Sequence, residues 1–130
     1  MLIDTSGFLC LNDNGEPHHE KAVALNNAAV YRVTTNYVLT EYVALAHIRG
    51  VSRSEIIKFS TQILNENKLE IVWVDEELHR RAIELLQQRP DKNYSLCDAV
   101  SFALMRERGI TESLTTDKHF EQESFIRLLK

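Results

Sequence analysis

The 130-residue chain carries two cysteines, two prolines and four glycines. Cys10 and Cys97 are too few for a disulfide framework, and both lie in apolar helical context, where buried free thiols are expected. A catalytic thiol is disfavoured at Cys97, because the adjacent Asp98 raises a thiol pKa instead of lowering it. There is no Pro- or Ser-rich linker, no low-complexity tract and no internal repeat, so one compact domain over residues 1–130 is expected. No run approaches the roughly eighteen apolar residues of a membrane span. The N-terminus lacks the basic region and apolar run of a leader, and a cytosolic location is the expectation. A Gly-rich phosphate loop and a Ser/His/Asp arrangement are also missing.

Positive charge is not in excess. Fifteen Lys and Arg stand against nineteen Asp and Glu, a net charge of −4. Such a balance looks unsuited to a polyanion. Setting aside four acids, Asp4, Glu41, Asp98 and Asp117, leaves fifteen against fifteen. If those four hold cations, the remaining surface is neutral and local basic patches can still meet phosphates. Net charge therefore does not exclude a nucleic-acid substrate. An apolar fraction of 44% and a charged fraction of 26% are ordinary for a globular chain able to bury a core.

What the sequence does have is an alternation of strand and helix signals. Residues 1–4 read as a short buried strand, followed by a helix over 6–11. Pro17 suits the first turn of a helix reaching Asn27. Residues 30–34 read as a strand and 36–48 as a helix, with Gly50 at its end. Ser52 and Glu55 form a capping-box pattern opening a helix with Ile56, Ser60, Ile63 and Leu64 on one face. Residues 69–74 read as a strand covered on both faces, with Trp73 in the core. Asp75 suits the cap of a helix with Leu78, Ala82, Leu85 and Leu86 inward. Residues 89–93 read as a polar loop, and Leu96 to Arg108 as a helix stopped by Gly109. Residues 112–116 and 124–129 read as two last strands around a helical turn. This pattern predicts an α/β three-layer sandwich with a mostly parallel central sheet.

Sites in such sheets form beyond the C-terminal ends of the strands. Asp4 and Asp117 sit at such ends; Glu41 and Asp98 sit in helices. Acids in apolar stretches need a partner. Two carboxylates about 5 Å apart repel by roughly 3 kcal/mol at an effective dielectric near 20. Four in one cleft require protons or a cation, and oxygen donors suit Mg²⁺ or Mn²⁺. Each acid also has a purely structural reading. Asp4 and Asp117 could cap the helical turns that follow them, and Asp98 stands three residues after Ser95, as in a capping box. Glu41, set among Val38, Leu39, Tyr42 and Val43, is the hardest to dismiss in this way.

The strings around the four acids resemble the signature of the PIN-domain family. They are Leu2-Ile3-Asp4-Thr5-Ser6, Asn36-Tyr37-Val38-Leu39-Thr40-Glu41, Tyr94-Ser95-Leu96-Cys97-Asp98-Ala99-Val100-Ser101-Phe102 and Leu114-Thr115-Thr116-Asp117-Lys118-His119-Phe120. The small size resembles the stand-alone VapC-type branch, the toxins of type II toxin–antitoxin pairs. The resemblance implies a Mg²⁺- or Mn²⁺-dependent endoribonuclease acting on RNA, a homodimer and a cognate antitoxin. By matched position, Asp4, Glu41, Asp98 and Asp117 are the expected metal-binding, catalytic acids, and Thr5, Ser6, Asn36 and Thr116 the supporting residues.

Among the other residues, Arg89, Lys92 and Lys118 flank the third and fourth acidic strings and are the candidate RNA phosphate contacts. Arg80 and Arg81 follow Glu76 and Glu77 by four positions, an ion-pair pattern. Tyr94 is open between base stacking and packing. His18 and His19 read as surface residues, His47 and His79 as structural, and His119 as a solvated turn residue. The alternative is a non-catalytic PIN-like RNA- or protein-binding module. A phospho-acceptor domain is disfavoured because Asp4 is followed by Thr5 and Ser6 instead of an acidic neighbour. A haloacid-dehalogenase-like phosphatase would need an Asp where Ser6 stands.

Overall fold

A computed structural model describes all residues, 1–130. The elements, in chain order, are β1 (Leu2–Ile3), α1 (Thr5–Asn12), α2 (His19–Ala28), β2 (Arg32–Thr35), α3 (Asn36–Ile48) and α4 (Arg53–Leu64). There follow β3 (Leu69–Val72), α5 (Glu76–Gln88), α6 (Leu96–Arg108), β4 (Glu112–Leu114), α7 (His119–Gln122) and β5 (Ile126–Arg127). The five strands form one sheet in the order β3-β2-β1-β4-β5, and every pairing is parallel.

Period-two alternation divides the core. Leu2 and its register partner Val33 point to one face, against Leu78, Ala82, Leu85, Val100 and Leu104 of α5 and α6. Ile3 and its partner Leu114 point to the other, against Phe8, Leu9, Val38, Tyr42, Ile56 and Ile63 of α1, α3 and α4. Helices thus cover both faces, which gives the predicted three layers with β1 and β2 fully buried.

Local signals set most element ends. The Thr35 hydroxyl accepts from Val38 N at 3.2 Å, Ser52 from Glu55 N at 3.2 Å and Asp75 from Leu78 N at 2.9 Å. Gly109, at φ 65°, ends α6 in the left-handed conformation that glycine adopts without a Cβ penalty.

Several expectations need correction. Trp73 is not in the core but 65% exposed, and β3 is an edge strand with half-exposed side chains. Its apolar run looked doubly covered only because a sequence does not reveal which strand ends a sheet. Pro17 lies in the turn before α2 and not in its first turn. Val30, expected in β2, is fully exposed outside it. Leu64, expected on the buried face of α4, is 54% exposed. Arg80 pairs with Glu76 as expected, whereas Arg81 reaches across to Glu107 on α6 instead of Glu77.

α1 packs directly on β4 at Gly7. A Cβ there would stand 2.2 Å from the Leu114 carbonyl oxygen, backbone that cannot step aside. Gly7→Ala is therefore expected to destabilise the fold by about 1–3 kcal/mol through overpacking, read as a lower midpoint in urea unfolding. An unchanged midpoint would mean that α1 shifts freely on the sheet.

Candidate active site

The chain runs from β1 outward through β2 to β3, then returns across the sheet to β4 on the other side of β1. The carboxyl ends of β1 and β4 therefore flank the switch point, where parallel sheets leave a crevice. Asp4 follows β1 directly, and Asp117 lies three residues beyond β4. Glu41 comes from the second turn of α3, and Asp98 from the first turn of α6.

Asp4 is almost fully buried, at 3% exposure. It stands at the N-cap position of α1 but makes no capping hydrogen bond. Its Oδ2 accepts from Thr115 Oγ1 at 3.0 Å, while Oδ1 is buried without a hydrogen-bond partner. Ser6 Oγ lies 3.0 Å from Thr115 Oγ1 and accepts from Thr116 N at 2.9 Å. Thr115 Oγ1 also accepts from Asp117 N at 3.0 Å. One pair of hydroxyls thus ties the start of α1 to the exit of β4 and orients Asp4.

Asp98 closes the predicted capping box. Its amide donates to Ser95 Oγ at 3.0 Å, and its Oδ2 accepts from Ser95 N at 3.1 Å. The same oxygen lies 3.2 Å from His119 Nδ1, which is 3.5 Å from Asp117 Oδ2. Asp117 Oδ1 accepts from His119 N at 2.9 Å, the turn-capping role foreseen for it. The structural readings of Asp98 and Asp117 thus hold, and both carboxylates also approach His119.

Ligand atoms of Asp4, Glu41 and Cys97 lie within 4.8 Å of one another, as do those of Asp98, Asp117 and His119. The two groups are electrostatically joined. Burial pushes the Asp4 carboxyl up to about 7; the nearby Thr5 amide and the Thr115 hydroxyl oppose the rise, and Asp98 and Glu41 add to it. Burial also raises Asp98, with Asp117 contributing in the same direction. Cys97 is raised strongly, by burial first and then by Glu41, Asp4 and Asp98. A thiol held protonated in this way is a poor nucleophile. The four predicted acids thus fall into two groups, Asp4 with Glu41 and Asp98 with Asp117, and Asp4 feels the charge of Asp98.

The donor set fits a hard divalent cation. It offers carboxylate oxygens from four elements, and its innermost oxygen, Asp4 Oδ1, has no protein donor to satisfy it.

The supporting residues divide. Ser6 belongs to the hydroxyl tie. Thr5 is buried beside Asp4 with Oγ1 unpartnered. Asn36 Oδ1 accepts from Val74 N at 2.7 Å and so fastens the start of α3 to the chain beyond β3. Thr116 gives the site only its backbone amide; its neighbour Thr115 holds Asp4, and sequence reasoning missed it by one position. His119, expected in solvent, is turned into the cluster, with its ring edge-on to Tyr94 at 5.2 Å. Its place two residues after Asp117 in a tight turn was the available signal. Tyr94 is packed and donates to Glu123 at 2.8 Å, which leaves no open face for a base. Arg89 is paired with that same Glu123 at 3.1 Å, while Lys92 and Lys118 are exposed.

Comparison with known proteins gives a consistent answer. A family model described as PIN domain matches residues 1–125. The 23S rRNA-specific endonuclease VapC20 of Mycobacterium tuberculosis is 29% identical over 129 residues, covering 98% of this chain and 97% of that protein. A VapC ribonuclease of Archaeoglobus fulgidus is 29% identical over 112 residues, 82% of this chain and 70% of that one. The crystal structure of the Mycobacterium tuberculosis VapC20, described as a sarcin-ricin loop cleaving toxin, superposes with a TM-score of 0.88. It is 28% identical and covers 99% of this chain and 98% of its own.

The raised Asp4 carboxyl has a consequence for stability. The neutral acid is favoured in the folded chain, so its contribution is complete below the unfolded carboxyl pKa near 4 and is lost as pH climbs through about 7. A rise of that size corresponds to at most about 4 kcal/mol. In a chelator, Asp4→Asn should match the wild type in thermal unfolding near pH 4 and exceed it by several degrees at pH 8. A wild type more stable than Asp4→Asn at pH 8 in chelator would contradict the buried-charge account.

Proposed function

We propose that this chain, which belongs to the PIN domain family, is a divalent-metal-dependent endoribonuclease and the toxin of a type II toxin–antitoxin pair. The observation that supports this reading is the pairing of Asp4 with Glu41 and of Asp98 with Asp117 in two acidic groups, with one buried Asp4 carboxylate oxygen left without a donor.

Asp4, Glu41, Asp98 and Asp117 would hold Mg²⁺ or Mn²⁺. Such an ion, when bound, polarises a phosphate oxygen and activates a water for attack on phosphorus. The chain's own residues supply the frame. Thr115 and Ser6 fix the Asp4 carboxylate, the Ser95 capping box fixes Asp98, and His119 sets the spacing of Asp98 and Asp117. Thr5 and Asn36 line the two helix starts that deliver Asp4 and Glu41. No side chain here is placed as a nucleophile: the Cys97 thiol is held protonated, and the Ser6 hydroxyl is engaged twice.

The exposed Lys92 and Lys118, and Arg89 where it is not occupied by Glu123, are the proposed contacts to RNA phosphates. The relatives' named activities favour a structured RNA, with ribosomal RNA the first class to try. A cognate antitoxin, a homodimer and action in the cytoplasm complete the proposal. No helix of the structure is long and apolar enough to cross a membrane.

Purified protein with Mn²⁺ should cut structured RNA, and excess chelator should stop it. Asp4→Asn and Asp98→Asn should each lower the rate by at least about 100-fold, since even residues that only orient metal ligands cost 10–100-fold. Full activity in either variant, or in chelator, would overturn the mechanism. Metal-supported RNA binding without cutting would favour the non-catalytic alternative.

A further inference from the structure

One thiol lies inside the acid cluster, and the chemistry above gives it no task. Cys97 is the second residue of α6, immediately before Asp98, and is buried. Its Sγ and one carboxylate oxygen each from Asp4 and Glu41 lie within 4.8 Å of one another. The three donors come from three different elements: the end of β1, α3 and α6. A second, independent feature marks this place. Asp4 is 3% exposed, its Oδ2 is taken by Thr115, and its Oδ1 has no partner. An unsatisfied buried acceptor costs about 1–3 kcal/mol unless something fills it.

Two carboxylate oxygens and a sulfur are not the donors a hard ion selects. Mg²⁺ is held through oxygen, whereas thiolate ligands select Zn²⁺ and its softer congener Cd²⁺. Zn²⁺ is often held by three protein groups, with its fourth position left to water. With metal–sulfur bonds of about 2.3 Å and metal–oxygen bonds of about 2.0–2.2 Å, tetrahedral donors stand roughly 3.5 Å apart.

We propose that Cys97, with Asp4 and Glu41, forms a binding site for thiophilic divalent cations, Zn²⁺ being the natural class. As the sulfur–metal bond forms, the thiol proton passes to solvent; no oxidation or reduction is involved. An ion held there removes Asp4 and Glu41 from the hard cation, and so acts as an inhibitor. The inhibition rests on the nuclease reading; the binding does not.

Cd²⁺ is the probe, because its bond to sulfur adds a charge-transfer band in the ultraviolet. Titration of the full chain should give such a band, saturating near one equivalent. Cys97→Ser and Cys97→Ala, each shown to be folded by circular dichroism, should lack it. A wild type without the band, or a band that survives both substitutions, would overturn the site. In Mn²⁺-supported RNA cleavage, one equivalent of Zn²⁺ should suppress the wild type about tenfold or more. It should suppress Cys97→Ser less than about twofold, each measured against its own uninhibited rate. Equal suppression of both would overturn the inhibitory role. A Cd²⁺ band in a wild type that cuts no RNA would support the thiol site while removing the nuclease reading.

Discussion

Placing a carboxylate where β1 runs out beneath the helices costs several kcal/mol unless a proton or a cation shares the charge. The surroundings of Asp4 show that cost left standing. The start of α1 makes no capping hydrogen bond to its side chain, and the Thr5 amide and the Thr115 hydroxyl only partly offset the burial. The neighbours that approach next are Asp98 and Glu41, which make ionisation harder still. A fold optimised only for stability would place an amide or an alkyl group there. The proposed cation would relieve that cost, while Ser6, Ser95 and His119 hold hydrogen bonds that orient the acids.

Topology makes this possible with very short strands. Two-residue and three-residue strands at the centre suffice because both faces are covered and every strand runs the same way. All strand exits then open on one edge. The reversal of strand order at β1 leaves a crevice there, into which α3 and α6 each bring one further acid.

Much of this was legible in the sequence. Asp4, Glu41, Asp98 and Asp117 stood out because each interrupts an apolar stretch, and apolar stretches are what the fold buries. The caps at Ser52, Asp75 and Ser95 were readable because a capping bond spans three residues and needs no tertiary knowledge. What was missed depends on tertiary placement. Thr115 and Thr116 are chemically identical in sequence, and only the length of β4 decides which hydroxyl meets Asp4. His119 looked solvated because a polar turn residue ordinarily is; its direction is set by the Asp117 turn and the edge of Tyr94. The pairing of Arg89 with Glu123 was not legible either, because the two lie far apart along the chain.

Trp73 was misplaced for a related reason, since edge strands and central strands share a composition. Its true position has a use. It is the only tryptophan of the chain, and it lines a shallow groove of ≈ 280 Å³ with Asn36, Leu39, Thr40, Val43 and Leu64. That groove lies along α3, whose next residue after Thr40 is Glu41. Indole emission shifts in colour with hydration, and this single indole lines a groove that shares Asn36 and Thr40 with the hollow beside Glu41 and Cys97. A partner that covers Trp73 on that side of α3 would change its hydration and so its emission, without a label.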